Sequence, residues 1–343
     1  MARIGEGSID VGYPAVGGME SNGQGETAAR ERAGEQALTI LATPLNLLIL
    51  RALSERPMRL AELRRATGLP AQTTLRGHLS NLGELGILSK RPTSEMPYAV
   101  HNELTPMGYE LLDVADRLEC WLKQAPDGPV SLGGGAGKGV VKALIDGWAS
   151  TIMRSLAARP MSLTELDRSI GELSYPSLER RLSSMRMAGL IEARESRSAG
   201  TPYAVTDWAR RGIGPLAAAS KCERAHLGSR AAPVTQADIE AAFLLATPLI
   251  GLSYDTTGSC QLEVEADPAE ARAQAGVMVT VDHGKVVACD SKLGPAPGDF
   301  AVGSAAKWFS AINDGTASLL RFGGRRRVAE GVVIALHAAL VIQ

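Results

Sequence analysis

The chain has few of the features that assign a protein to a class at once. Its four cysteines, Cys120, Cys222, Cys260 and Cys289, form no CxxC pair and lie far apart, which excludes a disulfide scaffold and leaves buried free thiols as the expectation. Net charge is −1, so the whole chain is not a basic nucleic-acid binder by composition. No basic stretch followed by an apolar run opens it, and the longest apolar stretch, from Gly331 to Ile342, is too short for a membrane span and contains His337. A cytoplasmic protein without a membrane partner is expected.

Catalytic signatures are missing too. There is no nucleophile elbow, no HExxH and no dinucleotide fingerprint. The run Gly133 to Gly139 fails as a phosphate loop, because Leu132 stands where the first glycine should be and Gly139 replaces Ser or Thr. Cys222 and His226 are four apart on an expected helix, too few ligands for a metal site. The expectation is therefore no enzyme, no cofactor and no metal.

What is present is division into blocks. Residues 1–35 are rich in Gly, Ser, Glu and Ala and are expected to be a disordered tail. Residues 126–139, with their glycine run, read as a linker, and a third break lies near Ser229 to Pro233. The blocks left are 36–125, 140–228 and 234–343. Between Lys138 and Ser229 there are fourteen basic and nine acidic residues; from Ala231 onward there are eight basic and twelve acidic. That contrast suggests different partners for neighbouring blocks.

The first two blocks repeat each other. Arg56-Pro57-Met58 recurs as Arg159-Pro160-Met161, and the same offset of 103 pairs Glu62 with Glu165, Leu63 with Leu166, Leu75 with Leu178 and Gly86 with Gly189. Pro97-Tyr98-Ala99-Val100 recurs as Pro202-Tyr203-Ala204-Val205 at an offset of 105, which predicts a loop two residues longer in the second copy.

In the first copy, Leu47, Leu50 and Leu53 mark a helix ended by Arg56-Pro57, and Leu60 to Ala66 a short second helix stopped by Gly68. A third helix puts Leu75, Leu79 and Leu82 on one face and Thr73, Arg76, Gly77 and Ser80 on the other, with Gln72 at its start. A strand from Ile87 to Lys90, a loop and a returning strand at Tyr98 to Val100 predict a two-stranded hairpin. Thr105-Pro106 then begins a last helix. This order is that of a winged helix-turn-helix, whose third helix enters the DNA major groove while the wing meets phosphates. The candidate DNA contacts are Gln72, Thr73, Arg76, Gly77, Ser80, Lys90 and Arg91, and in the second copy Tyr175, Arg180, Arg181, Ser183, Arg194 and Arg197. Glu179 stands where the first copy has Arg76, able to accept from a cytosine amino group or to repel phosphate.

Leu48 to Leu53, Leu60 to Arg65, Leu75 to Leu82, Gly86-Ile87-Leu88, Pro97-Tyr98 and Leu104-Thr105-Pro106-Met107-Gly108 together resemble the HxlR-type winged-helix regulators. The second block is similar but more divergent, with Val205-Thr206-Asp207-Trp208-Ala209 instead of the Leu-Thr-Pro-x-Gly motif. The resemblance implies transcription regulation by binding an operator in double-stranded DNA. Members of that family usually dimerise with one winged helix per chain, so two copies here imply that one chain could supply a pseudo-dimer; a homodimer of the chain stays open.

The third block predicts a helix over Gln236 to Thr247, strands over 249–254, 261–266, 276–282 and 285–290, and helical segments over 303–313, 317–322 and 330–342. This is an α+β layer pattern. Asp299-Phe300-Ala301-Val302, Trp308-Phe309, Ile312-Asn313-Asp314-Gly315 and Gly324 to Gly331 resemble motifs of sterol-carrier-protein-like domains. That resemblance implies a lipophilic pocket between sheet and helices, with Phe243, Met278, Trp308, Phe309, Ile312, Leu319, Ile334 and His337 as candidate lining. The expected fold is thus multidomain: two mainly α winged helix-turn-helix domains and an α+β sterol-carrier-like domain. The expected function is a ligand-responsive regulator, a repressor by the commoner logic, released by a lipophilic small molecule such as a natural product. The rival is a protein that sequesters such a compound, with structural winged helices.

Overall fold

The computed structural model describes residues 32–92, 100–195, 200–266, 275–291, 293 and 298–341. Its first unit opens with α1 (Glu35–Leu41) and α2 (Pro44–Glu55), the latter with proline in its first turn and Leu47, Leu50 and Leu53 buried. Residues 32–34, expected within a disordered tail, are tied down: Arg32 Nε donates to Gly147 O at 2.7 Å, and the Gly34 amide to a Glu223 carboxylate oxygen at 2.8 Å. The chain continues through β1 (Met58–Arg59), α3 (Leu60–Ala66), α4 (Gln72–Glu84), β2 (Leu88–Pro92), β3 (Val100–Leu104) and α5 (Pro106–Leu122). The expected two-stranded wing has a third strand, in the order β1-β3-β2. Arg56 is extended at the end of α2, which leaves Met58 free to pair with Asn102.

The second unit has the same order of elements: α6 (Gly135–Ile145), α7 (Ala149–Ala158), β4 (Met161–Ser162), α8 (Leu163–Ile170), α9 (Tyr175–Met187), β5 (Ile191–Ala193) and β6 (Pro202–Val205), again with the first strand beside the third. Two expectations need correction. The glycine run assigned to a linker over 126–139 instead opens α6. Leu132, Val140, Val141 and Leu144 are buried there, and a Cβ on Gly137 would stand 2.2 Å from Ser131 O, a backbone approach only glycine allows.

The second correction concerns the repeat. Leu88 pairs with Leu104 in the first sheet and Ile191 with Val205 in the second, so Leu104 and Val205 are equivalent, 101 residues apart. Thr105 and Thr206 agree: each amide donates to the residue before the second strand, Ile87 O or Leu190 O, at 3.1 Å. The second wing is therefore two residues shorter than the first, not longer, and the shared Pro-Tyr-Ala-Val string is out of structural register.

After β6 the last helix is interrupted. α10 (Asp207–Arg211) and α11 (Ile213–Leu227) meet at Gly212, where a Cβ would press to 2.9 Å from the Trp121 ring. α5 and α10–α11 run antiparallel. At one end the Trp121 and Trp208 rings stack at 4.4 Å and 6°, and each indole N–H donates to the other residue's carbonyl, at 2.8 and 2.9 Å. At the other end His226 Nε2 lies 3.1 Å from Glu110 Oε1.

The C-terminal unit holds α12 (Gln236–Ala246), β7 (Gly258–Val264), β8 (Ala275–Asp282), β9 (Lys285–Asp290), β10 (Phe300–Gly303), α13 (Ala305–Asp314), β11 (Arg321–Gly323) and α14 (Arg327–Val341). The strand order is β11-β10-β7-β8-β9, antiparallel except for β7 with β10. The strand expected over 249–254 is absent: residues 247–249 form a single 3-10 turn, and only Gly251 bridges to Lys285. The helix expected over 317–322 is a 3-10 turn followed by β11, whose pairing with β10 outcompetes so short a helical segment. No single described helix is long and apolar enough to cross a membrane.

Candidate nucleic-acid interface

α4 shows how the first unit presents a polar surface. Leu75, Leu79 and Leu82 seal one face into the core, and His78 Nδ1 meets Asn46 Oδ1 at 2.7 Å beside them. Those anchors leave Gln72, Thr73, Arg76, Gly77 and Ser80 exposed on the other face. A Cβ on Gly77 would meet nothing within 4 Å, so a partner's surface can come close to the helix there. Ser80 Oγ donates to Glu84 at 3.0 Å, whereas no ion pair engages Arg76 among the described residues. Arg64 serves the turn before this helix, its Nε donating to Pro70 O at 2.8 Å. Thr74 and Asn81 are exposed as well; the helical period contained them, but they were not singled out.

The wing adds Lys90 and Arg91, both exposed on β2. Arg91 reaches Glu103 at only 3.9 Å and is 74% exposed, so its charge is free for an outside anion. The Pro97-Tyr98 motif lies outside the described residues.

In the second unit the corresponding surface is more committed. Tyr175, Glu179, Arg180 and Ser183 are exposed on α9. Arg181 is not: it turns inward, its Nε donating to Asp146 Oδ1 at 2.9 Å and its head bonding Ser177, with 17% of the side chain exposed. It occupies the position of His78 in the first unit, so its period is that of the buried edge, and the expectation of a DNA contact is corrected. Arg194 sits 3.4 Å from Glu192, and Arg197 lies outside the described residues.

The residues expected to line a pocket between sheet and helices are scattered. Phe243 and Trp308 meet edge to face at 4.7 Å, both fully buried, and the Trp308 N–H donates to Glu263 O at 2.7 Å. They fill the core where the pocket was expected. Met278 is half-buried on the other face of the sheet, and Leu319 and Ile334 are 47% and 58% exposed. His337 Nδ1 lies 2.9 Å from Ile312 O. Phe309 and Ile312 alone among the eight border a cavity that the structure does contain, of about 90 Å³. It lies between Arg32 and α1, helices α6, α7, α10 and α11 of the second unit, and α12–α14. Ser150, Asp238 and Asn313 also border it, and the sequence offered no signal for them, because the walls come from segments far apart in the chain.

Three of the cysteines are held back from reaction by burial. Cys222, Cys260 and Cys289 have their thiols pushed up to about 12, chiefly by burial. Cys120 is exposed, against the expectation that all four are buried. No group of three metal-ligating side chains occurs among the described residues.

A short helix, a turn, a second helix with an exposed polar face and a three-stranded wing define a helix-turn-helix domain of the winged type. Residues 40–128 match the family of HxlR-like helix-turn-helix domains, which places an HxlR-like domain in this chain and points to DNA-binding transcription regulation. The match covers about a quarter of the chain. No curated protein matches it.

Proposed function

We propose that this protein is a transcription regulator in which one chain carries two winged-helix readers, and that a lipophilic small molecule alters its hold on an operator. The observation that carries the reading is the exposed face of α4, with Arg76 unengaged among the described residues and Lys90 and Arg91 on the adjoining wing, inside the segment that matches the HxlR-like family. Arg at such a position reads guanine in the major groove, and the wing cations neutralise phosphates. The second unit is read as a winged helix because its element order and strand register repeat those of the first.

The antiparallel packing of α5 on α10–α11 supports a pseudo-dimer. An isologous dimer pairs the same surface of two subunits. Here one chain supplies both surfaces, with the crossed Trp121 and Trp208 bonds at one end. Such a protein has no need of a second copy to offer two readers. The regulator acts as a repressor in this reading, with no catalytic step, and the sterol-carrier-like C-terminal unit packs against the second reader and walls one side of the cavity between them. Arg154 and the buried Glu240 pair at 2.7 Å across that junction, and Arg210 donates to Leu244 O at 2.8 Å.

The test is a fluorescence-anisotropy titration of the full chain with genomic duplex fragments at two salt concentrations. Tight binding to a subset of fragments, with affinity falling steeply as salt rises, is expected. Absence of binding at low salt, with and without added lipophilic compounds, would sink the reading in favour of sequestration.

A further inference from the structure

We propose that the cavity between α1, the second unit and the C-terminal helices is a binding site for a neutral, largely hydrocarbon compound of single-ring size that carries one hydrogen-bonding group. This rests on the regulator reading for its consequence on DNA, and on the cavity alone for the binding itself.

The walls dictate the hydrocarbon part. Leu144 and Met153 come from α6 and α7, Ile213 and Leu216 from α11, and Ile239 and Leu245 from α12. Phe309 and Ile312 close it from α13, and Leu340 from α14. At about 90 Å³ the space is far below what a steroid or a long acyl chain needs. A dry apolar cavity of about 150 Å³ admits benzene, so a single ring is the size of group that the walls can hold here, with slight adjustment.

The polar part follows from Ser150. Its Oγ is buried at the cavity and has no hydrogen-bond partner among the described residues. A hydroxyl left unpaired away from water is destabilising, and a ligand hydroxyl or carbonyl would relieve it. The charges nearby are already committed to one another. Arg32 donates to Gly147 O and sits 3.4 Å from Asp238 Oδ1, and its backbone amide donates to Glu35 at 3.0 Å. Asp238 also takes the Thr235 amide at 3.0 Å and the Thr235 hydroxyl at 2.8 Å. Arg32, the cation on the lining, is thus already engaged and offers little to an anion, and the ligand proposed is neutral, because an ion held among these apolar walls would need a full partner.

The location decides the consequence. α1 leads directly into α2 of the first unit, and it is pinned to α11 by Glu223, whose carboxylate takes the amides of Gly34 and Ala37 at 2.8 and 2.7 Å. A compound in the cavity touches α1, both framing helices of the second unit and the C-terminal helices at once. It binds only the arrangement in which these surfaces meet, and so favours that arrangement of the two readers over others.

The test is isothermal titration of the full chain with 4-methylphenol and with toluene, which differ by one hydroxyl. Saturable binding of one 4-methylphenol per chain is expected, about tenfold tighter than toluene. Ser150→Ala should bring the two within about twofold of each other. Ala217→Phe, which puts a ring into the cavity, should abolish binding of both; a melting curve verifies that it folds. Should it fail to fold, the phenol-to-toluene ratio in Ser150→Ala carries the test, because that change removes a single oxygen. No saturable binding to the unaltered chain, or a ratio unmoved by Ser150→Ala, overturns the site. Saturable binding that leaves fragment affinity in the anisotropy assay unchanged supports the site and overturns the ligand-responsive reading instead.

Discussion

The two N-terminal units share a plan and differ in where their polar side chains are engaged. Arg51 and Arg154 occupy one repeat position. In the first unit Arg51 pairs with Asp116 and Glu119 of its own last helix; in the second, Arg154 crosses to Glu240 of the C-terminal unit. Asn46 and His78 of the first unit are replaced by Ala149 and Arg181, the latter held by Asp146. On the outward faces Arg76 gives way to Glu179, and Lys90 to Ala193. The first unit pairs Arg51 within itself and leaves Arg76 and Lys90 without an ion pair among the described residues, whereas the second spends side chains on holding its neighbours. In the regulator proposed above, the two readers thus differ in degree: the first has the freer outward face, and the second also holds its neighbours.

The largest expected effect comes from breaking the join between the copies. Trp208→Ala removes one ring of the stack and the donor to Trp121 O, and should cost about 3–5 kcal/mol, as for other buried Trp truncations. Urea denaturation should then show two transitions where the unaltered chain shows a concerted one. An unchanged single transition would mean that the stack does not link the units.

Next is the difference in reading. Arg76→Ala should weaken binding to the preferred fragments by about 1–3 kcal/mol, and Arg180→Ala by less. Arg181→Ala should lower the melting temperature and leave fragment affinity nearly intact, because its head is bonded inside the unit. Replacing Lys90 and Arg91 with alanine should reduce the salt slope by about two. Equal losses for Arg76→Ala and Arg180→Ala would erase the difference between the two reading faces.

The smallest effects lie in the short helices α3 and α8. Ser162 caps α8, its Oγ accepting from the Glu165 amide at 3.3 Å, while Arg59 at the equivalent place offers no such acceptor. Ser162→Ala should cost about 1 kcal/mol, and Arg59→Ser should gain no more than that. Glu165 is lowered to about 2, first by the Ser162 amide and then by the Arg159 side chain and the Ser162 hydroxyl. A depressed carboxylate stabilises the fold above its unfolded value of 4.5, and that contribution is lost as pH falls from there through about 2. Amide protection factors in the first turn of α8, taken relative to the intrinsic exchange rate at each pH, should fall across that window; factors that stay flat would remove Glu165 from the cap.

Much of the first unit was legible because its signals are local. The spacing of Leu75, Leu79 and Leu82 places Arg76 outward on any helix that buries those three. Thr105-Pro106 starts a helix wherever it falls, and Thr105 Oγ accepts from the Gly108 amide at 3.3 Å. Arg181 was misread because a charged residue on the edge of a buried stripe looks exposed until a carboxylate such as Asp146 is known to lie beside it. The wing of the second unit was misaligned because four matching letters outweighed a strand register that only pairing reveals. In the C-terminal unit β10 and β11 were missed for the same reason: three or four residues become a strand only beside a partner.

The sequence by itself determined the order of helices and turns in the first unit and the helix face that points outward there, since periodicity, caps and turns act over a few residues. Only the tertiary structure decided that the glycine run begins α6, that the Trp121 and Trp208 indoles cross, and that the apolar cavity lies between the units rather than within the last. Those features depend on which distant surfaces exclude water together, and burial of that kind leaves no mark on any one segment.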